Sequence, residues 1–196
     1  MSKMDEKKKI EIRELTKESI KLKIVGVTPL LMEKMDMSVV EFYDGKKGKK
    51  NVVKDTRTEE EKVESKAYKD SDENYVLPSH MILKCLEETA PYIEGLDKKR
   101  VKGSIRFKKP EFRLDYGSYC INRTSGKTSG MTKAPRLILR PQFNDWSCEV
   151  DIIYNSGLIS AELLFNMFNI AGFNLGLGGW NPFHGGTYGQ FEVTTK

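Results

Sequence analysis

Cysteine and histidine are scarce in this chain, and each scarcity closes off a class of function. The three cysteines, Cys85, Cys120 and Cys148, are odd in number and include no CxxC. They supply neither a disulfide framework nor a zinc cluster, and are expected to be reduced and mostly structural. The only imidazoles are His80 and His184, so a two-histidine metal site would need both, plus carboxylates. HExxH and GxxxxGK[ST] are both absent, which removes the zinc-protease and phosphate-loop readings. No cofactor and no metal are expected. Long apolar runs are missing too: the best, from Leu158 to Ile170, contains Glu162 and two asparagines, and cannot span a bilayer. The first residues, MSKMDEKKKIEIRELTKES, mix acids and bases without an apolar stretch. They do not read as a secretory signal, and a cytoplasmic protein is expected.

What is present is a chain of 196 residues, 38% hydrophobic and 31% charged, with a net charge of +5. That is one domain's worth of core. The expected division is a charged segment over 1–18 and a single domain over 19–196, with insertions at about 42–74 and 117–135. The net charge permits a nucleic-acid partner without demanding one, and its distribution says more. Lysines 46, 47, 49, 50 and 54 form one basic block and the stretch from Lys98 to Lys109 a second, while acids gather between Glu59 and Glu73. Such segregation makes either a local basic face or a set of solvated loops.

Alternation in Ile20, Leu22 and Ile24 predicts a strand, ended by Gly26 and Pro29. Glutamates at 59–61 after Thr56 or Thr58 predict a capped, mostly polar helix from Glu59 to about Tyr68. Tyr75 to Ser79 reads as a short extended piece. Ser79 then caps a helix in which Ile82, Leu83, Leu86, Ala90 and Ile93 recur at helical spacing. Ile105 to Tyr116 predicts one broken strand or a hairpin, 117–135 a polar loop, and Leu137–Leu139 and Trp146–Tyr154 further strands. A helix ending near Gly172 is followed by a glycine-rich loop and a closing strand. Without its insertions this order is βαββαβ, the split unit of an α+β, ferredoxin-like (RRM-like) fold, with both helices on one face of a four-stranded antiparallel sheet.

Seven glycines lie between Gly172 and Gly189 in GFNLGLGGWNPFHGGTYG, a backbone able to take positive φ repeatedly and to approach other chain closely. Helix, long glycine-rich loop and last strand (YGQFEV) resemble the C-terminal signature of the RAMP superfamily. These are RNA-binding proteins with an RRM-like fold, which include backbone subunits and guide-processing nucleases of CRISPR complexes. IVGVTPLLMEKM, YVLPSHMILKCLEE and RPQF.DW.CEVDIIY extend the resemblance to a RAMP-related family of phage and prophage proteins, which implies host cytoplasm as the location. RAMP backbone proteins place basic residues in this loop, whereas here it carries Trp180, Asn181 and His184 and no Arg or Lys.

The resemblance implies single-stranded RNA or DNA as partner and a homo-oligomer arranged side by side along the strand. Its site candidates are Gly178 and Gly179, whose amides can meet phosphate, and Trp180 and His184, which can stack on bases. Arg123, Lys127, Lys133, Arg136 and Arg140 lie in or beside the 117–135 insertion, where RAMP backbone proteins carry a thumb that reaches the next subunit. Trp180 and Phe183 have a second reading, as a lid folded on the core. Catalysis is not expected. Its weak candidates are His80 and His184, for an endoribonuclease, and Asp36, which with Glu33 follows the first strand where RAMP nucleases carry an acid. A host-protein interaction module that touches no nucleic acid is the remaining reading.

Overall fold

The computed structural model describes residues 15–35, 56–127 and 135–195. In chain order these form β1 (Lys17–Gly26), β2 (Leu30–Leu31), α1 (Glu59–Glu64), β3 (Val76–Pro78), α2 (Ser79–Glu87), α3 (Lys98–Ser104) and β4 (Ile105–Phe107). There follow β5 (Glu111–Asp115), β6 (Ser118–Lys127), β7 (Pro135–Asn144), β8 (Ser147–Asn155), α4 (Ala161–Ile170) and β9 (Phe191–Thr195).

The strands make two antiparallel sheets. The larger runs β3-β5-β8-β1-β9, with β4 also on β8, and the smaller runs β2-β7-β6. Alternation explains the larger one. Leu22 and Ile24 of β1 face Val150 and Cys148 of β8, and Ile24 also faces Val193 of β9. All five are buried, while Lys21, Glu149 and Glu192 between them lie on the other face. β4 and β5 continue one another along β8, pairing Phe107 with Ile152 and Leu114 with Cys148, so the broken-strand reading of 105–116 describes them and the hairpin reading does not.

On the buried face sit α2, through Ile82, Cys85 and Leu86, and α4, through Leu164, Met167 and Phe168. The helix expected over Ser79–Ile93 ends at Glu87, with a single tight turn over Ala90–Tyr92. Pro91 has no N–H to offer the Glu87 carbonyl, and Thr89 closes the helix end, its Oγ1 donating to the Leu86 carbonyl at 2.7 Å. Ser79 is the first helical residue rather than the cap, its amide donating to the Pro110 carbonyl at 2.8 Å. The α4 cap is Ser160, which accepts from Leu163 N–H, so this helix starts at Ala161. In α1 the predicted capping is complete: Thr58 and Glu61 each bond the other's backbone N–H.

Two expectations are corrected. The sheet is not four-stranded but larger and accompanied by a second sheet. Of the polar loop expected over 117–135, residues 118–127 are instead β6, paired with β7 in register from Ser118↔Asn144 to Lys127↔Pro135, and 128–134 lie outside the described residues. Backbone pairing holds this ribbon, so it needs no apolar alternation. Glu64 ties it to α1. Its Oε1 accepts from both Tyr75 and Tyr119 hydroxyls at 2.8 Å, and Lys69 Nζ lies 2.7 Å from Oε2. The Tyr75 and Tyr119 rings stack 5.6 Å apart. Burial, then the Glu64 carboxylate, pushes the Tyr75 hydroxyl up to about 12.

Candidate nucleic-acid interface

After α4 the chain makes one wide helical turn over Ala171–Leu175 and then folds back on itself. The glycines here serve close packing. Gly176, Gly178 and Gly189 have φ of 69°, 74° and 71°, where glycine alone is unstrained. A methyl on Gly178 would strike the Leu31 carbonyl, and one on Gly189 that of Leu177. Several amides are committed to the protein: Gly179 N–H donates to Leu31, Leu177 to Gly189, and Gly189 to Pro29, each at 2.8 Å. Of the two phosphate-cradle glycines expected, Gly179 has therefore given its N–H to β2.

Asn181, which is buried, holds the loop together. Its Nδ2 donates to the Gly178 and Gly176 carbonyls at 3.1 and 3.3 Å, and its Oδ1 accepts from the His184 amide. His184 Nδ1 lies 2.8 Å from the same Oδ1. An amide oxygen only accepts, so Nδ1 carries the proton and Nε2 is the nitrogen left to act.

The packed loop displays its aromatics. Trp180 is 44% exposed and Phe183 is exposed as well, so neither is a buried lid; the buried tryptophan is Trp146, which fills the space left by Gly26 and donates to the Thr28 carbonyl at 2.8 Å. Trp180 has φ 51°, a backbone state costing a side-chain-bearing residue on the order of 1 kcal/mol or more. The Arg140 guanidinium lies 6.0 Å from its ring centroid. By contrast, the outer face of the large sheet carries Lys21, Lys23, Glu149, Asp151, Glu192 and Thr194, with Lys21 and Asp151 3.8 Å apart. Among the described residues it offers no aromatic on which a base could stack.

Three clefts border α2, two of them contiguous and the third on its other flank. The first, about 610 Å³, lies between Glu33, Arg140 and Trp180. It shares Met81, Gly178 and His184 with the second, about 300 Å³, whose floor is apolar (Cys85, Leu175, Leu177) and whose rim carries Lys84, Glu88 and Phe183. The exposed His80 borders that one and, across the helix, the third, about 440 Å³, edged by Arg106, Lys108 and Lys109. Burial pushes the Cys85 thiol up to about 12, so it is no nucleophile there.

The expected site residues are thus partly united. Gly178, Gly179, Trp180, Arg140, His80 and His184 all line this groove. Arg140 is nearly buried and paired with Glu33, which changes its part from a phosphate contact to a wall of the cleft. Arg123 is on β6, bonded to Glu59 through Nε and Nη2 at 3.1 and 2.8 Å. Lys127 pairs in register with Pro135, and Arg136 with Gly126. Asp36 and Lys133 lie outside the described residues. Lys84, Met81, Lys108 and Lys109 were not anticipated as site residues, although Lys84 stands one helical turn after His80 and so on the same face. Among the described residues no group of three or more His, Cys, Asp or Glu is placed to hold a metal. No helix described is long and apolar enough to cross a membrane.

No family model matches the chain, and no curated protein matches it. Among solved structures, it is similar to a chain in the cryo-EM structure of the Type III-B Cmr-beta bound to cognate target RNA. That match has 12% identity and a TM-score of 0.60, over 91% of this chain and 59% of the other. The present chain therefore spans about three fifths of its neighbour's length, and the likeness is one of fold: mixed α/β with antiparallel sheets.

Proposed function

We propose that this protein is a RAMP-like binder of single-stranded nucleic acid, RNA foremost, and that the strand lies in the groove along α2. The observation that carries this is the pair of contiguous clefts beside α2 that holds Trp180 and Phe183 for base stacking and Lys84 for phosphate, with Lys108 and Lys109 in a third cleft across the helix. Aromatic faces beside cations are the sequence-tolerant way to hold a single strand. The fold neighbour was solved with target RNA bound, which supports the choice. The order β9-β1-β8-β5 with α2 and α4 on one face supports a ferredoxin-like core to which the second sheet has been added. Fluorescence anisotropy with a labelled single-stranded RNA tests the proposal. Affinity should fall log-linearly with salt, and Lys108→Ala with Lys109→Ala should flatten the slope by roughly one to two released counterions. Salt-indifferent binding, or an unchanged slope in the double variant, contradicts it.

A second reading is favoured by one observation: His80, His184 and Lys84 share a cleft, and Asn181 leaves His184 Nε2 as its working nitrogen. That arrangement suits a metal-independent endoribonuclease in which an imidazole removes the 2′-hydroxyl proton. Incubation of the protein with RNA in EDTA should give cleavage that His184→Ala abolishes. Intact RNA leaves the protein a binder.

A further inference from the structure

The cleft beside Trp180 contains something that phosphate binding does not call for, a carboxylate next to a buried guanidinium. The Arg140 side chain is 7% exposed. Its Nε donates to Glu33 Oε2 at 3.0 Å and its Nη1 reaches Thr124 Oγ1 at 3.4 Å, while Nη2 meets no acceptor among the described residues. Glu33 uses Oε2 for this contact and is itself about half exposed, which leaves Oε1 to accept. Gly179 lets the pair sit against the backbone: a methyl there would lie 3.1 Å from Glu33 Oε2 and 3.3 Å from Arg140 Nε.

An anion is a poor occupant of such a cleft, because the carboxylate cancels the guanidinium and would itself face the incoming charge. A flat neutral ring with acceptors and donors side by side is a good one. Guanine offers the most on both counts, O6 and N7 for a guanidinium and N1–H and the 2-amino group for a carboxylate. Uracil has one donor, and adenine and cytosine present a single amino group. The face of the ring also has its partner, since the exposed Trp180 indole is within 6.0 Å of the Arg140 guanidinium. A base held edge-on by Arg140 is then in reach of stacking on the indole.

We infer that this cleft is a guanine-reading subsite, in which one base of a bound strand stacks on Trp180 and is read by Arg140 and Glu33. The inference rests on the single-strand-binding reading above and adds base specificity to it. It is tested by anisotropy at fixed low salt with an oligouridine carrying one central guanosine, adenosine, cytidine or inosine. The guanosine strand should bind about tenfold more tightly than plain oligouridine, the range expected for one well-made bidentate base contact. Inosine, which lacks the 2-amino donor, should lose a large part of that margin, and Glu33→Gln, compared at a temperature well below its melting point, should narrow it too, its melting temperature falling because the Arg140 guanidinium loses its counter-charge. The base analogues leave the protein unchanged, so the result does not depend on whether an Arg140 variant folds. Equal, salt-dependent affinity for all strands, or a preference for another base, overturns the subsite and leaves nucleic-acid binding standing. No binding of any strand at low salt overturns both.

Discussion

Trp180 occupies a backbone conformation that glycine takes freely and tryptophan does not, with φ 51°, in a loop where four glycines also have positive φ. A large aromatic kept at such a position, and kept exposed, is best explained by a contact made outside the chain. Trp180→Ala should weaken single-strand binding about tenfold, from the ~1–3 kcal/mol of a stacked base, with little change in melting temperature. Trp180→Gly should melt at or above Trp180→Ala, reversing the usual order of these two residues, because only glycine escapes the φ strain. Trp146 supplies the contrast: it is fully buried, and its replacement by Ala should cost roughly 3–5 kcal/mol of stability. Thermal melts and titrations of the three variants check the set. A collapse of stability in Trp180→Ala would make its ring part of the core.

Among the elements, the short α1 and the β6–β7 hairpin depend on one another through Glu64. Burial pushes its carboxyl up, but the Lys69 ammonium and the Tyr75 and Tyr119 hydroxyls outweigh that and hold it below the ordinary value of 4.5. A carboxyl whose value is lowered by folding adds stability above its unfolded value and loses it as pH falls through the folded one. The melting temperature should therefore decline as pH drops below about 4.5, with Glu64→Gln lower at neutral pH and less steep in acid. A parallel decline in the two proteins would show that this cluster is not the group titrating. The hairpin itself was hard to foresee. Its residues, SYCINRTSGK, alternate no apolar set, since its stability comes from backbone pairing and a few tyrosine contacts, and such a strand reads locally as loop. The shortened α2 was hard to foresee for another reason: Ala90 and Ile93 keep helical spacing, but Pro91 has no N–H to continue the helix, and the Ile93 amide donates to the Ala90 carbonyl in a single tight turn.

For the whole molecule, the smaller sheet ends in β6, a ten-residue edge strand. Among the described residues that edge is unpaired, and an edge of that length is a template for further pairing; we propose this hairpin as the contact for the side-by-side assembly expected from the sequence. Sedimentation velocity should find larger species when RNA is added, and replacing residues 124–137 by a short Asn-Gly turn should leave a folded monomer that still binds RNA. If the parent is monomeric with and without RNA, the assembly idea fails while the groove survives.

The sequence by itself determined the elements whose burial is one-sided and local. The alternation of β1, β8 and β9, the apolar face of α4, a threonine cap at 56 or 58 and the glycines of the last loop all declare themselves within a few residues, because a strand or helix with one wet face must repeat at its own period. The tertiary structure alone decided the groove. Glu33 and Arg140 stand 107 positions apart in the chain, and the α2 face bearing His80, Met81 and Lys84 meets Gly178 and His184 only when α2 and the last loop pack against the same sheet. Arg140 illustrates the difference: within its own segment it is one more basic residue of a polar strand, and only packing buries its guanidinium, pairs it with Glu33 and sets it beside Trp180. Periodicity records which side of an element is dry, whereas a cleft is made by contacts between segments distant in sequence, and no local pattern encodes those.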